Sequence, residues 1–196
     1  MSAPSGGGNK AGLLIILLLI FLGLGGWGVS INNQLVRAKE GMNASWAQVE
    51  TVLQRRFDLI PNLVATVKGY AEHEQQVLES VTQLRSQWAA AKTVEEKAKA
   101  AGELEGTLAR LLLVAERYPD LKANQNFLDL QTELAGTENR ITVERQRYND
   151  AVRTYNTLVQ SFPQSLVAGF RGFAPSTAYF EAAQAAAETP KVDFSK

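Results

Sequence analysis

The sequence predicts an all-α protein: a single transmembrane helix at the N-terminus, followed by an antiparallel up-and-down four-helix bundle. Three observations carry that expectation. No charged residue lies between Lys10 and Arg37, and the run from Leu13 to Leu22, extended by Leu24, Trp27 and Val29, is apolar. Beyond it, apolar residues recur at spacings of three and four rather than two, which is the period of one helical face. Proline and capping signals then cut this periodic stretch into lengths suited to a bundle.

The first element is the span, expected over residues 12–30 behind a flexible Ser/Gly-rich head at 1–11. A hydrocarbon core of about 30 Å needs about 20 apolar helical residues, because without water every backbone amide must be bonded inside the segment. The competing reading is a cleaved signal peptide, with Lys10 as its charged flank and Gly23 and Gly25 as small residues at the cleavage site. Apolar character that continues through Trp27 and Val29 favours the anchor, since an indole suits the membrane interface.

The bundle is expected over 31–163, with helices at 31–59, 61–88, 94–118 and 121–161. Met42, Trp46, Val49, Leu53, Phe57 and Ile60, then Val64, Val67, Ala71, Leu78 and Val81, form one continuous stripe. Pro61 interrupts it, and an interior proline removes a hydrogen bond and clashes with the preceding turn, so the chain either reverses or kinks near Leu59. The kinked alternative, a three-helix arrangement with one long helix, has the unbroken apolar phase in its favour. Against it, a helix of about 60 residues outruns a third helix of about 25 at 1.5 Å per residue.

Thr93 and Glu96 form a capping box ahead of the third helix, which carries Val94, Ala98, Ala101, Leu104, Leu108, Leu111, Leu112 and Ala115 inward. After Tyr118-Pro119, Asp120 is placed to cap the longest run. There Phe127, Leu130, Leu134, Ile141, Tyr148, Val152, Tyr155, Val159 and Phe162 share a face until Pro163, with Thr137 and Glu144 as interruptions. The tail, 164–196, changes character: Gly169, Gly172 and Pro175 punctuate Phe170, Phe173, Tyr179 and Phe180 before an alanine-rich stretch. In a bundle rooted at a membrane this aromatic segment falls near the lipid surface or packs on the base of the bundle.

Composition excludes several classes. Twenty basic residues balance twenty acidic ones without long blocks of either sign, so the basic footprint of a nucleic-acid binder is missing. With no cysteine there are no disulfides, thiolate ligands, cysteine nucleophiles or lipid-modified cysteines. Nucleophile elbows, phosphate-binding loops, dinucleotide fingerprints and zinc spacings are also absent from the sequence.

A few residues invite a functional reading. His73, the only histidine, stands beside Glu74, and Glu116, Glu138 and Glu144 are the carboxylates that facing helices could bring to them. Metal sites need three or four ligands, and the Glu-x-x-His pairs of di-metal bundles do not occur here, so neither metal nor cofactor is expected. Arg55, Arg56 and Asp58 read as groups capping the helix ends around Pro61, with phosphate or headgroup binding as the alternative. Tyr148-Asn149 and Tyr155-Asn156 repeat at heptad spacing, placing two amides beside the buried stripe, where such groups fix helix register. Gly102 and Gly106, four apart, permit close approach of another helix.

The strings Arg55-Arg56-Phe57-Asp58-Leu59-Ile60-Pro61-Asn62-Leu63-Val64, Val67-Lys68-Gly69-Tyr70-Ala71-Glu72-His73-Glu74, Glu116-Arg117-Tyr118-Pro119-Asp120-Leu121-Lys122-Ala123-Asn124 and Thr137-Glu138-Asn139-Arg140-Ile141 appear in that order. With Trp46 ahead of them and Tyr148-Asn149 through Tyr155-Asn156 to Phe162-Pro163 behind, they resemble the LemA family. The resemblance implies a bacterial membrane-anchored helical bundle, related to proteins needed to form magnetosome membranes, and brings no catalytic residues with it. Asn32-Asn33 stands where the family often has Tyr-Asn. The cysteine of its lipid-anchored members is absent, so anchorage falls to the apolar helix.

The expected function is therefore non-enzymatic: a single-pass scaffold or adaptor of the bacterial inner membrane, possessing membrane lipid as one partner and a second copy or another envelope protein as the other. A short leading segment bearing Lys10 resembles an uncleaved export signal, which puts the bundle on the outward side. The alternatives are a membrane-surface lipid-binding module using Arg171 and the tail aromatics, and a metal-dependent enzyme using His73 and Glu74.

Overall fold

A computed structural model describes residues 8–71 and 73–180, and among them every regular element is an α-helix. These are α1 (Gly8–Lys68), α2 (Gln75–Ala90), α3 (Val94–Ala115), α4 (Pro119–Lys122), α5 (Gln125–Gln160) and α6 (Gln164–Arg171). The chain forms two compact units, one of Met1–Met42 with Arg153–Ser176 and the other of Asn43–Val152 with Thr177–Lys196.

The larger unit contains the bundle. Pro61 does not reverse the chain: α1 runs through it as a single helix, and the turn comes later, starting at Gly69 and Tyr70. Pro61 sits on the exposed side, where one missing amide bond is tolerated, while the apolar stripe on the opposite side keeps its phase. Val49, Leu53, Phe57, Ile60, Leu63 and Val67 are all buried. The kinked alternative was thus right about continuity, but neither arrangement located the turn at Gly69.

Helix directions follow from which residues pair. Trp46 meets Tyr148 at 5.5 Å between rings, while Arg55 and Arg56 pair with Glu133 and Glu138, so α5 descends as α1 ascends. Lys97 pairs with Glu50 and Arg56 lies 3.8 Å from Glu105, so α3 runs parallel to α1. The Phe57 and Trp88 rings stack at 4.7 Å, bringing α2 against α1 between two short turns. Directions therefore alternate up and down along the chain.

Local signals fix the ends. The Thr93 hydroxyl accepts from the Glu96 amide at 3.1 Å, and the Glu96 carboxylate accepts from the Thr93 amide at 3.1 Å, which is the expected capping box. Asp120 does not cap the long helix. Pro119 starts the single-turn α4, and Asn124 begins α5 by accepting from the Phe127 amide at 3.1 Å.

In the smaller unit, residues 13–24 of α1 are exposed: Leu13 to Leu22 and Leu24 lie between 53% and 76% accessible. By length and apolar composition α1 is able to cross a membrane. Past this run, Ile31 and Leu35 are buried against Tyr155 and Val159 of α5 and Ala168 of α6, with Ala38, Met42, Val167 and Phe173 at the margin. Phe162 departs from the stripe reading. It lies beyond the end of α5 and is 79% exposed rather than inward.

Candidate functional site

The carboxylates that the sequence offered to a metal are not brought together. Glu74 accepts from Arg117 at 2.8 Å and from the Tyr118 hydroxyl at 3.4 Å, tying the α1–α2 turn to the end of α3. Glu116 pairs with Lys122, Glu138 with Arg56, and Glu144 with Arg147 at 2.7 Å. Each acid has its own cation, His73 is exposed in the turn, and among the described residues no three His, Asp or Glu side chains gather at metal-binding distance.

Arg55, Arg56 and Asp58 also take different roles from those expected, because no helix ends there. Arg56 is buried, at 6% exposure, and joins α1 to both Glu138 on α5 and Glu105 on α3. Arg145 of α5 closes the network by donating to Glu105 at 2.8 Å. Arg55 reaches Glu133 at 3.3 Å on the surface, and Asp58 accepts from Gln54 at 2.7 Å. The cluster cross-links three helices at mid-height. Two arginines facing two glutamates balance in charge, and a network neutralised in this way holds helices together rather than an anion.

The two asparagines are the larger surprise. Each clamps the backbone of the C-terminal segment. In the larger unit Asn149 donates to the Phe180 carbonyl and accepts from the Phe180 amide, both at 2.9 Å. The Phe180 ring stacks on Trp46 at 5.8 Å, meets Tyr148 edge-on at 5.9 Å, and lies 5.0 Å from the Arg145 guanidinium. In the smaller unit Asn156 repeats the arrangement on Ser176, with both bonds at 2.8 Å, and the Tyr155 hydroxyl donates to the Ala174 carbonyl at 3.0 Å. Burial raises the Tyr148 and Tyr155 phenols above their ordinary range, and the Glu95 charge adds to the shift at Tyr148. Both phenols are therefore neutral at neutral pH.

The sequence contained the signal for these clamps in its repeated Tyr-Asn pairs, but nothing that named the partner, which is backbone contributed by a distant part of the chain. The tail aromatics divide. Phe173 and Phe180 pack on helices, whereas Phe170 is 91% exposed; the alanine-rich stretch after Phe180 lies outside the described residues. Gly102 and Gly106 have open space where a side chain would project, so among the described residues no helix approaches them closely.

In the smaller unit, an open cavity of about 520 Å³ separates α1 from α6, with Gly25, Gly28 and Val29 on one wall and Leu166 and Phe170 on the other. Arg171 closes one edge, its Nε donating to Asn32 at 3.0 Å.

Similar proteins come from two groups. Magnetosome protein MamQ 2 of Paramagnetospirillum magneticum is 26% identical over 72% of this chain, and Magnetosome protein MamQ of Magnetospirillum gryphiswaldense is 24% identical over the same share. Protein LemA of Metamycoplasma hominis is 25% identical over 71% of the chain. The chain spans 61% of the length of the two MamQ proteins and 64% of that LemA protein. An exposed apolar helix at the N-terminus fits a membrane-associated protein. The order of motifs, the all-helical fold and a match to the LemA family over residues 45–194, well over half of the sequence, agree: the chain belongs to the LemA family.

Proposed function

We propose that this protein is a single-pass scaffold or adaptor of the bacterial envelope, anchored by the first half of α1 and acting through self-association or by holding another envelope protein. The observation that carries the reading is the contrast within α1. Its first part exposes an unbroken apolar surface, and residues 49–67 supply a buried bundle stripe. A helix apolar on every side needs lipid around it, whereas a helix with one apolar stripe needs other helices. The reaction chemistry points the same way, because the acids at the turn and the mid-bundle are each bound to a cation. The relatives named as magnetosome proteins support a role tied to membrane organisation. Two-dimensional confinement raises effective concentration, so weak contacts between bundles suffice for assembly.

Crosslinking of the full chain in intact cells tests this. The expected result is a ladder of homo-oligomers or a discrete adduct with a second envelope protein; recovery of monomer alone overturns it. Protease added to opened but not lysed cells reads the side. Digestion of the bundle at that stage fits the outward placement, and protection until the inner membrane is breached reverses it.

A further inference from the structure

We propose that α6 is an interfacial helix whose outer face, Leu166 and Phe170, lies in the bilayer at the level where α1 leaves it. The proposal rests on the reading of α1 as a membrane anchor. It adds a second, reversible contact with lipid.

The two faces of α6 are sharply different. Ala168 is buried and Val167 partly so, packed with Ile31, Leu35 and Val159, which fixes the inner face and the position of the helix. Leu166 is 65% exposed and Phe170, one turn further on, is 91% exposed; Phe162, in the turn before α6, is exposed as well. Large apolar side chains on an exposed helix face, with nothing among the described residues covering them, are costly in water.

The neighbourhood identifies the occupant. Leu166 and Phe170 face Gly25, Gly28 and Val29 across the open cavity, and those α1 residues end the uncharged apolar run. At 1.5 Å per residue the stretch 11–30 covers about 30 Å, the thickness of the hydrocarbon core, so residues 25–29 lie in its last turns. The exposed stripe of α6 therefore continues the lipid-facing surface of α1 at its edge. The remaining features suit the headgroup boundary: Trp27 on α1 is half exposed at the same level, and Arg171, bonded to Asn32, sits at the polar end of α6. An amphipathic helix lying in the interface buries its apolar face about 5–10 Å deep. Gly172, at φ 74°, ends α6 in the left-handed conformation that glycine accepts without strain, and Phe173 turns back to the helices.

The absence of cysteine gives a direct test. Single-cysteine variants Leu18→Cys, Leu113→Cys, Leu166→Cys and Phe170→Cys of the full chain are spin-labelled and reconstituted into phosphatidylcholine–phosphatidylglycerol vesicles. All four positions are exposed, so the label does not disturb packing. Collision with oxygen is compared with collision with a water-soluble nickel chelate. The expected result is an oxygen-to-nickel ratio at residues 166 and 170 several-fold above that at residue 113 and approaching that at residue 18. A water-like ratio at 166 and 170 with a lipid-like one at 18 overturns the proposal and leaves the anchor standing, whereas a water-like ratio at 18 overturns the anchor reading itself. Shielding of 166 and 170 from both reagents overturns the proposal in favour of a protein surface, such as a second copy. A lipid-like ratio at 113 as well overturns it by showing contact that is not particular to α6.

Discussion

Asn149→Ala should loosen the C-terminal segment by an amount set by two hydrogen bonds. The Asn149 amide donates to the Phe180 carbonyl and accepts from the Phe180 amide, both at 2.9 Å. Each such bond has a net worth of about 0.5–1.5 kcal/mol, so losing both withdraws about 1–3 kcal/mol from the docked state. At about 1.4 kcal/mol per decade this is a roughly 5- to 150-fold change in its population. Hydrogen exchange at the Phe180 amide reads the change where it occurs, because that amide is held by Asn149 Oδ1. Its exchange should accelerate by that factor in Asn149→Ala. Asn149→Asp retains the acceptor and loses the donor, so it should keep the amide protected while freeing the carbonyl. An unchanged Phe180 exchange rate in the alanine variant would refute the clamp, and would assign docking to the ring's contacts with Trp46, Tyr148 and Arg145.

Arg56→Met fills the space of the arginine stem but leaves Glu138 without its cation, so it should still cost about 3 kcal/mol, the lower end for breaking a buried ion pair because Glu138 keeps some solvent access; a loss under about 1 kcal/mol in urea midpoints would contradict the charge argument. Phe57→Ala removes a fully buried ring stacked on Trp88 and should cost about 3–5 kcal/mol in the same assay, with a loss below about 1 kcal/mol ruling out the stripe as core. Pro61→Ala restores an amide donor inside α1 and should raise both helical circular dichroism and stability. The interior penalty of about 3 kcal/mol is partly offset by the roughly 1 kcal/mol that proline removes from unfolded-chain entropy, and a fall in either signal would count against a continuous helix. Backbone amides of Lys92 and Thr93 hold the Glu96 carboxyl below its ordinary value of 4.5. Its contribution to α3 is therefore complete above pH 4.5 and is lost as the pH falls through the lower folded value; a side-chain titration with a midpoint at or above 4.5 would refute the capping contact.

Features carried by neighbouring residues were legible in the sequence. The capping box needs only Thr93 and Glu96 three residues apart, and it forms. The α5 stripe needs only its period, and Phe127, Leu134, Ile141, Tyr148 and Tyr155 are all buried. Pro61 was misread because local chemistry weighs a proline as a break, while in the fold its exposed position and the buried Phe57, Ile60 and Leu63 carry α1 past it. Arg56 read as an end cap because its partners, Glu105 and Glu138, lie far along the chain and a sequence does not show distance in space. The same holds for Asn149 and Asn156. Their heptad spacing marked them as special, but their partners are main-chain atoms, which have no signature in side-chain pattern.

These two asparagines have a chemical consequence. An amide side chain carries donor and acceptor in one plane, as a peptide group does, and Asn156 pairs with both backbone groups of Ser176 much as a residue on an adjacent β-strand would. A helix spends its own main chain internally and has none to offer a neighbour; an asparagine on its surface supplies an isolated rung of a ladder where no sheet exists. Such a rung recognises polypeptide without recognising sequence. For those two bonds the identity of residue 176 is immaterial except for proline, which would remove the N–H, so the helix can retain its tail whatever side chain stands there.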